Sequence, residues 1–409
     1  MAALARRLGT ADAVVVGLSS MIGAGLFGAF GPAAAAAGAA LPVALLVAAV
    51  IAFCNAESSA ALAARYPQAG GTYVYGRERL GHLWGYLAGW GFVIGKTASC
   101  AAMALTAAAY LLPGREKLAA VGFAVVLVAV NCAGITRTAR VARVLLVLTL
   151  LLLGCALAAT WFGGAAAGRV TGAAGSPLGV LQGAGLLFFA FAGYARIATL
   201  GEEVREPERT IPRAIPIALG LVVALYALVA GTLLAALGPD GLATASAPLA
   251  DAVRTGRFAA LAPVATAGAG IAALGALLAL LAGVGRTTLA MARGGDLPRA
   301  LAAVHPRFAT PLRAELLIGA AVVVLVLVTD LRGAIGFSSF GVLVYYAVAN
   351  ASAWTLPREQ RWFPRALPAV GLLGCALLAV LLPAGSVLAG LACFAAGLVA
   401  LLLRRARTH

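Results

Sequence analysis

The segment GLSSMIGAGLFGAFGPAAAAAG, residues 17–38, decides the fold of this chain. It contains no charged residue and, with its flanks, is long enough to cross the hydrocarbon core of a bilayer as a helix. Glycine costs about 1 kcal/mol relative to alanine in a helix interior. Gly23 and Gly25 stand in the middle of this segment, and Pro32 follows them. The segment therefore predicts a membrane helix that is interrupted halfway.

The whole chain has the composition of an integral membrane protein. Of its 409 residues, 63% are hydrophobic and 11% are charged, whereas soluble domains carry about 25% charged residues. Apolar runs of about 20 residues, the length a membrane helix needs, predict an all-α polytopic protein with a single domain over 1–409 and about twelve spans. The predicted spans are 12–37, 41–64, 83–112, 118–134, 141–162, 178–203, 211–237, 258–288, 312–329, 333–356, 364–382 and 384–403.

The net charge of +16 follows the predicted topology. Of the 30 basic residues, 22 fall in loops on the side of the N-terminus and six on the opposite side, while Lys96 and Arg196 lie inside spans. The positive-inside rule then places both termini in the cytoplasm. We therefore expect the lipid bilayer, and no nucleic acid, as the partner of the positive charge. No obligate protein partner is evident.

Cysteine and histidine are placed unlike those of a metal site or an enzyme. The six cysteines fall in apolar spans without C-x-x-C spacing, which is typical of small buried residues. The three histidines, His82, His305 and His409, lie outside the predicted spans. We expect no metal, no cofactor and no catalytic residue. A filter motif typical of a channel is also missing from the sequence.

A second glycine interruption is predicted in the sixth span, at FFAFAGY, residues 188–194. Gly23 and Gly193 are 170 residues apart, each in the first span of a five-span block. Five is odd, so the second block starts on the opposite side of the membrane and the repeats are inverted. Glycine also serves helix packing in membranes, but paired interruptions in two halves indicate a transporter substrate site.

The two interruptions offer complementary backbone groups. A new half-helix beginning near Gly23 presents N–H groups that bind a carboxylate, and unpaired carbonyls in the sixth span can accept from an ammonium group. Together they predict a site for an α-amino acid. Its predicted residues are Ile22, Gly23, Ala24 and Gly25 in the first span, with Phe189, Ala190, Ala192 and Gly193 in the sixth.

Four segments in order resemble the amino acid–polyamine–organocation (APC) family of permeases, closest to the bacterial and cationic amino acid transporter-like branch. They are GLSSMIGAGLFGAFGPAAAAAG (17–38), AESSAALAARYPQAGGTYVYGRERLG (56–81), FFAFAGYARIATLGEEVREPERTIPRAI (188–215) and RTTLAMARGGDLPRALAAVHPRFATP (286–311).

The resemblance implies a LeuT-type fold with a 5+5 inverted repeat, in which helices 1 and 6 are broken. The repeats would occupy 12–163 and 178–356, with two peripheral helices in 364–403. It also implies an aromatic gate at Phe189 and a bacterial inner-membrane permease working by alternating access. A cationic amino acid or polyamine antiporter of the same fold, or a transporter-like amino acid sensor without net flux, remains an alternative.

Two charges inside predicted spans are functional candidates, because intramembrane charge is costly. Lys96 is interpreted as a polar wall of the site that can load and release a proton, against the alternative of snorkelling to an interface. For Arg196 an ion pair or gate is favoured over substrate contact, with Glu57, Glu202 and Glu203 as candidate partners. Two fixed positive charges at the site would favour neutral or acidic substrates over basic ones.

The coupling ion is narrowed by what the eighth span lacks. LeuT-type sodium carriers place hydroxyl groups there, but no Ser or Thr occurs between Thr266 and Thr287, and sodium prefers oxygen ligands. Sodium coupling is thus disfavoured, whereas proton symport and exchange both stay open. The loop motifs 68–73 and 291–296 combine glycines with charge, which is equally consistent with loop anchoring and with gating.

Overall fold

The computed structural model describes residues 8–67, 70–132, 139–165, 173, 175–198, 204–305 and 310–406. Regular structure in these ranges is helical, apart from one isolated bridge between Leu8 and Val204. The helices are α1 Thr10–Met21, α2 Ala24–Gly28, α3 Phe30–Ala37, α4 Leu41–Arg65, α5 Thr72–Leu80, α6 His82–Leu111, α7 Glu116–Cys132, α8 Ala139–Phe162, α9 Pro177–Phe191, α10 Ala195–Ala198, α11 Pro207–Thr244, α12 Pro248–Arg254, α13 Ala262–Arg293, α14 Leu312–Val328, α15 Leu331–Trp354, α16 Ala366–Leu381 and α17 Ala384–Ala406.

The predicted polytopic membrane character is confirmed. Nine helical segments within the described residues are long and apolar enough to cross a membrane. A further apolar helix, α16, is shorter, and α7 and α14 are each 17 residues long. The nine segments are Thr10–Gly28, Leu41–Arg65, His82–Leu111, Val144–Phe162, Pro177–Ala198, Pro207–Thr244, Ala259–Arg293, Leu331–Trp354 and Ala384–Arg404.

The first span is interrupted where its glycines predict it. Helix α1 ends at Met21, and α2 begins at Ala24. Between them Ile22 has φ −84° and ψ 82°, and Gly23 has φ −155° and ψ −136°, so both residues leave the helical region. The ladder of i to i−4 hydrogen bonds is therefore cut at this point, as a helix end requires.

The sixth span is tightened, which differs from the predicted unwinding. Helix α9 ends at Phe191, and a single 3-10 turn, Ala192–Tyr194, leads into α10. The Phe189 carbonyl accepts the N–H of Ala192 in this turn, so that carbonyl is not released. A 3-10 bond spans one residue fewer than an α-helical bond. It satisfies Phe189 in a dry interior, where an unpaired carbonyl is costly.

Helix α6 is the central helix, and small residues bring its neighbours close. A Cβ added to Gly91 of α6 would lie 2.8 Å from the Gly341 carbonyl oxygen of α15. A Cβ added to Gly341 would in turn lie 2.7 Å from the Gly91 oxygen. These glycines serve backbone-to-backbone packing, as is common between membrane helices. Many glycines of this chain thus support the fold without marking a site.

Three details differ from the sequence interpretation. Helices α5 and α12 lie in connections between spans, where the sequence analysis predicts no helix. Helix α11 begins at Pro207, before the predicted start of the seventh span at 211, and a kink at Gly238, with φ 69°, divides it directly after the predicted end at 237. Of the six cysteines, all interpreted as buried, Cys54, Cys100 and Cys375 are buried, Cys132 and Cys393 are half-buried, and Cys155 is exposed. Its neighbours on α8 include exposed leucines and valines, so this face presents apolar surface outward.

Candidate functional site

The two interruptions lie against each other through a reciprocal pair of glycines. A Cβ on Gly25 would lie 2.5 Å from the Ala190 Cα in α9. A Cβ on Gly193, in the 3-10 turn, would lie 2.5 Å from the carbonyl oxygen of Ser20 in α1. Real Cβ atoms essentially never come so close to backbone, so only glycine permits this approach. We call these contacts the glycine crossing.

A tyrosine joins the two interrupted spans beside the glycine crossing. The Tyr226 hydroxyl, on α11, lies 2.6 Å from the Met21 carbonyl oxygen and 2.9 Å from that of Ala190. Its ring is buried among Phe30 and Phe191. One hydroxyl proton serves both carbonyls, so Tyr226 ties the end of α1 to α9. Sequence reasoning missed it; the available signal was a tyrosine in mid-span, whose hydroxyl needs a partner when buried.

Lys96 reaches the predicted acceptor group of the sixth span. Its side chain is buried, and its Nζ donates to the Ala192 carbonyl oxygen at 3.0 Å. The Tyr346 hydroxyl of α15 lies 3.4 Å from the same oxygen. The structure therefore brings Lys96 on α6 together with the 3-10 turn. Burial and this hydrogen bond argue against the snorkelling alternative.

The remaining predicted site residues of the first and sixth spans lie beside the crossing. Ile22 and Ala24 of the first span and Phe189 of the sixth are all buried, with Phe189 6% exposed. Gly23 faces α13, where its added Cβ would lie 2.7 Å from the Ala276 Cβ. Cavities of about 260 and 470 Å³ lie beside Arg205 and Phe123, away from the crossing. Because the side chains at the crossing are buried, they are shielded from solvent in this conformation.

The predicted gating charges are only partly brought to this site. Arg196 stands in α10, one turn beyond the crossing. Glu57, on α4, accepts a hydrogen bond from the Trp362 indole Nε1 at 2.6 Å, which gives it a partner that the sequence did not suggest. Glu202 and Glu203 lie outside the described residues.

A separate cluster joins the two loop motifs. The buried Asp296 carboxylate, after α13, accepts from the Tyr73 hydroxyl at 2.7 Å and from Arg77 at 3.3 Å, and lies 2.7 Å from the His82 Nε2. Burial and the neighbouring carboxylate raise the pKa of Tyr73 to about 12, so its phenol stays a donor at neutral pH. We call Tyr73, Arg77, His82 and Asp296 the loop cluster. It fits the anchoring interpretation of these motifs.

Removing the Tyr226 hydroxyl is expected to loosen the connection between the two spans. In Tyr226→Phe the Met21 and Ala190 carbonyls lose the hydroxyl donor, although Met21 keeps the Gly23 N–H at 3.1 Å; a buried acceptor left unsatisfied costs about 1–3 kcal/mol. We expect a lower melting temperature in detergent. Tyr66→Phe is the control, because the Tyr66 ring contacts Tyr75 at 6.1 Å without a hydrogen bond from its hydroxyl in the described structure. Equal melting temperatures of both variants would contradict a linking role of Tyr226.

Comparisons with known proteins agree with this architecture. The family model described as amino acid permease matches residues 8–403. An uncharacterized transporter of Mycobacterium tuberculosis is 60% identical over 99% of this chain and 93% of its own length. The branched-chain amino acid permease BcaP of Bacillus subtilis is 26% identical over 90% of this chain and 84% of its own.

Another relative is named for a different class of substrate. Human cationic amino acid transporter 4 is 29% identical over 89% of this chain and 62% of its own length. The family match over nearly the whole chain and the transporters among its relatives confirm the predicted APC membership. They also indicate a transporter and not an enzyme, as predicted. The chain is a multi-pass membrane transporter, and it belongs to the amino acid permease family.

Proposed function

We propose that this protein is a secondary active transporter that moves an amino acid across the inner membrane of a bacterium by alternating access. The observation that carries the proposal is the glycine crossing, where two interrupted spans meet by backbone contact and Lys96 points a buried ammonium at Ala192. Interrupted helices at matching places of two halves are the sequence feature that best indicates a transporter site.

The substrate is bound mainly by backbone groups in this proposal. The start of the half-helix α2–α3 near Gly23 faces the carboxylate. The Ala190 and Ala192 carbonyls, which already accept from protein donors, receive the ammonium group. Phe189 closes over the side chain as an aromatic gate. The carboxylate and the ammonium group, which the backbone binds, are common to all α-amino acids.

Neutral or acidic amino acids fit this site better than basic ones. Lys96 is a buried cation at the 3-10 turn, and like charges at short range repel strongly in a poorly hydrated interior, so a second positive charge on the substrate is disfavoured. The name of the BcaP relative supports a neutral substrate. The name of human cationic amino acid transporter 4 supports the alternative, a cationic amino acid or polyamine antiporter.

The proposed architecture is a LeuT-type 5+5 inverted repeat followed by two peripheral helices. Helices α7 and α14 have 17 residues and α16 has 16, which is close to the lower end of what crosses a bilayer, so we count these three with the nine longer segments as twelve. The first repeat then runs from α1 to α8 and the second from α9 to α15. The excess of basic residues on one side supports cytoplasmic termini.

Sodium coupling receives no support from the neighbourhood of the first interruption. The α13 atoms nearest to a Cβ added at Gly23 are the Ala276 methyl group at 2.7 Å and the Ala272 backbone carbonyl oxygen at 3.8 Å, so α13 brings no side-chain hydroxyl there. A cation such as sodium would therefore lack the hydroxyl ligands that LeuT-type sodium carriers supply there. We propose proton-coupled transport or exchange.

Uptake into proteoliposomes tests the proposed function. We expect saturable uptake of one or more neutral or acidic amino acids, with an initial rate that does not change when choline replaces sodium. Liposomes without protein are the control. Saturable lysine uptake without neutral or acidic uptake would reverse the substrate assignment. A thermal shift with an amino acid, but no flux of it, would indicate a sensor, because a ligand that binds the folded state stabilises it.

A further inference from the structure

The carbonyl groups at the glycine crossing are occupied by donors of the protein itself. Tyr226 serves Met21 and Ala190, while Lys96 serves Ala192. Of these donors, only the Lys96 Nζ is a primary ammonium, the same group that an α-amino acid would bring to this place. The structure thus places one ammonium group of the protein at the 3-10 turn.

Lys96 is held there weakly for a buried cation. No carboxylate within the described residues forms an ion pair with it, and its printed hydrogen bond goes to a neutral carbonyl. The Tyr346 hydroxyl, 3.4 Å from the same oxygen, is a second donor that could keep Ala192 paired when Lys96 leaves. An ammonium with no fixed counter-ion is exchangeable against another ammonium at low cost.

Closure of the crossing is needed for the return step of a carrier, in which the protein reorients without substrate. A transporter delivers substrate in one direction only if its empty form also passes through a closed state. Without a ligand or the Lys96 ammonium, the Ala192 carbonyl would keep only the longer contact, 3.4 Å, to the Tyr346 hydroxyl among its side-chain donors, and poorly paired buried polar groups oppose closure. A resident donor removes this obstacle, whereas an obligatory exchanger keeps it.

We propose that Lys96 substitutes for the substrate ammonium in the empty carrier, so that the empty carrier can close and reorient and the protein catalyses net transport in addition to exchange. This inference rests on the proposed amino acid transport. It deepens that proposal, because it assigns the role of Lys96 and decides against obligatory exchange. Incoming substrate displaces the Lys96 Nζ from Ala192, and departing substrate lets it return.

The chain offers a matched control for Lys96. Its only other lysine, Lys117, also donates its Nζ to a backbone carbonyl, that of Leu327 at 2.9 Å, but in an exposed position on α7. Methionine keeps the length of lysine and removes the donor and the charge. Lys96→Met and Lys117→Met therefore make the same chemical change, once at the crossing and once far from it.

The experiment compares net uptake with exchange in the same proteoliposomes. The probe is a mixture of the twenty ¹⁴C-labelled protein amino acids, offered to vesicles that are either empty or preloaded with the unlabelled mixture. The wild type is expected to fill empty vesicles at a rate within about threefold of its exchange rate. In Lys96→Met we expect exchange to fall about threefold and net uptake at least thirtyfold, so their ratio falls about tenfold. Lys117→Met should keep both rates.

The outcomes separate this inference from the proposed function. Wild-type exchange without net uptake overturns the role of Lys96 and leaves amino acid transport intact, and this result requires no variant to fold. Equal losses of both rates in a folded Lys96→Met, or no loss of either, also overturn it. Wild-type vesicles that show neither rate overturn the proposed function, and the inference falls with it.

Discussion

Gly193→Ala is expected to abolish transport, with a loss of uptake of more than about tenfold. Its new Cβ would lie 2.5 Å from the Ser20 carbonyl oxygen and 2.6 Å from the Ser20 carbonyl carbon, which are backbone atoms that cannot turn away. The interrupted spans would have to separate, and displacements of about 1 Å at a site can cost a hundredfold in rate. Initial uptake in proteoliposomes, normalised to reconstituted protein, measures the effect.

The reciprocal and control variants make this prediction specific. Gly25→Ala should act similarly, because its Cβ would meet the backbone of Ala190 at 2.5 Å. Gly231→Ala on α11 is the control, since no heavy atom lies within 4 Å of its added Cβ, and alanine favours the helix. Melting curves in detergent identify a variant that does not fold. Folded Gly193→Ala with wild-type uptake would contradict the importance of the close approach.

Asp296→Asn is expected to lower the free energy of unfolding by about 2–3 kcal/mol, because hydrogen bonds to a charged acceptor are stronger than neutral ones. The change removes the charge that Tyr73 and Arg77 share, and it can place an amide N–H against a donor. We expect a lower melting temperature and easier proteolysis of the connection that contains α5. Both are measured on purified protein.

An isosteric change at an exposed ion pair provides the comparison for Asp296. Glu206 pairs with Arg209 at 3.4 Å, and both side chains are more than two-thirds exposed, at 71% and 76%. Exposed pairs contribute about 0–1 kcal/mol, so Glu206→Gln should leave the melting temperature nearly unchanged. A melting temperature of Asp296→Asn equal to that of Glu206→Gln would show that the loop cluster does not hold these connections together.

The membrane character and the first interruption could be predicted because both depend on residues that are close together in the sequence. A charge-free run fixes a span by its length, and Gly23 marks where the helix ends at Met21. The sixth span was harder. Alanine and phenylalanine around Gly193 still favour right-handed helical angles, so the chain tightens into a 3-10 turn and does not unwind.

The partners of the site residues could not be predicted, because they depend on contacts between distant spans. Tyr226 meets Met21 across 205 positions of sequence, and Trp362 meets Glu57 across 305. No local pattern encodes such pairs. Lys96 was an exception, since a charge in mid-span needs a partner wherever it lies, although the identity of that partner, Ala192, came only from the structure.

Main-chain atoms and side chains around the glycine crossing contribute differently to substrate specificity. Where Gly25 and Gly193 touch the opposite span, the nearest atoms belong to the main chain of Ala190 and Ser20, and the chemistry of the main chain does not depend on the side chains around it. Under the proposed function, the main chain at the crossing binds the ammonium and carboxylate groups that every amino acid carries and does not distinguish between side chains. A change of substrate specificity would then arise from substitutions at Lys96 and Phe189, while the glycine crossing stays the same.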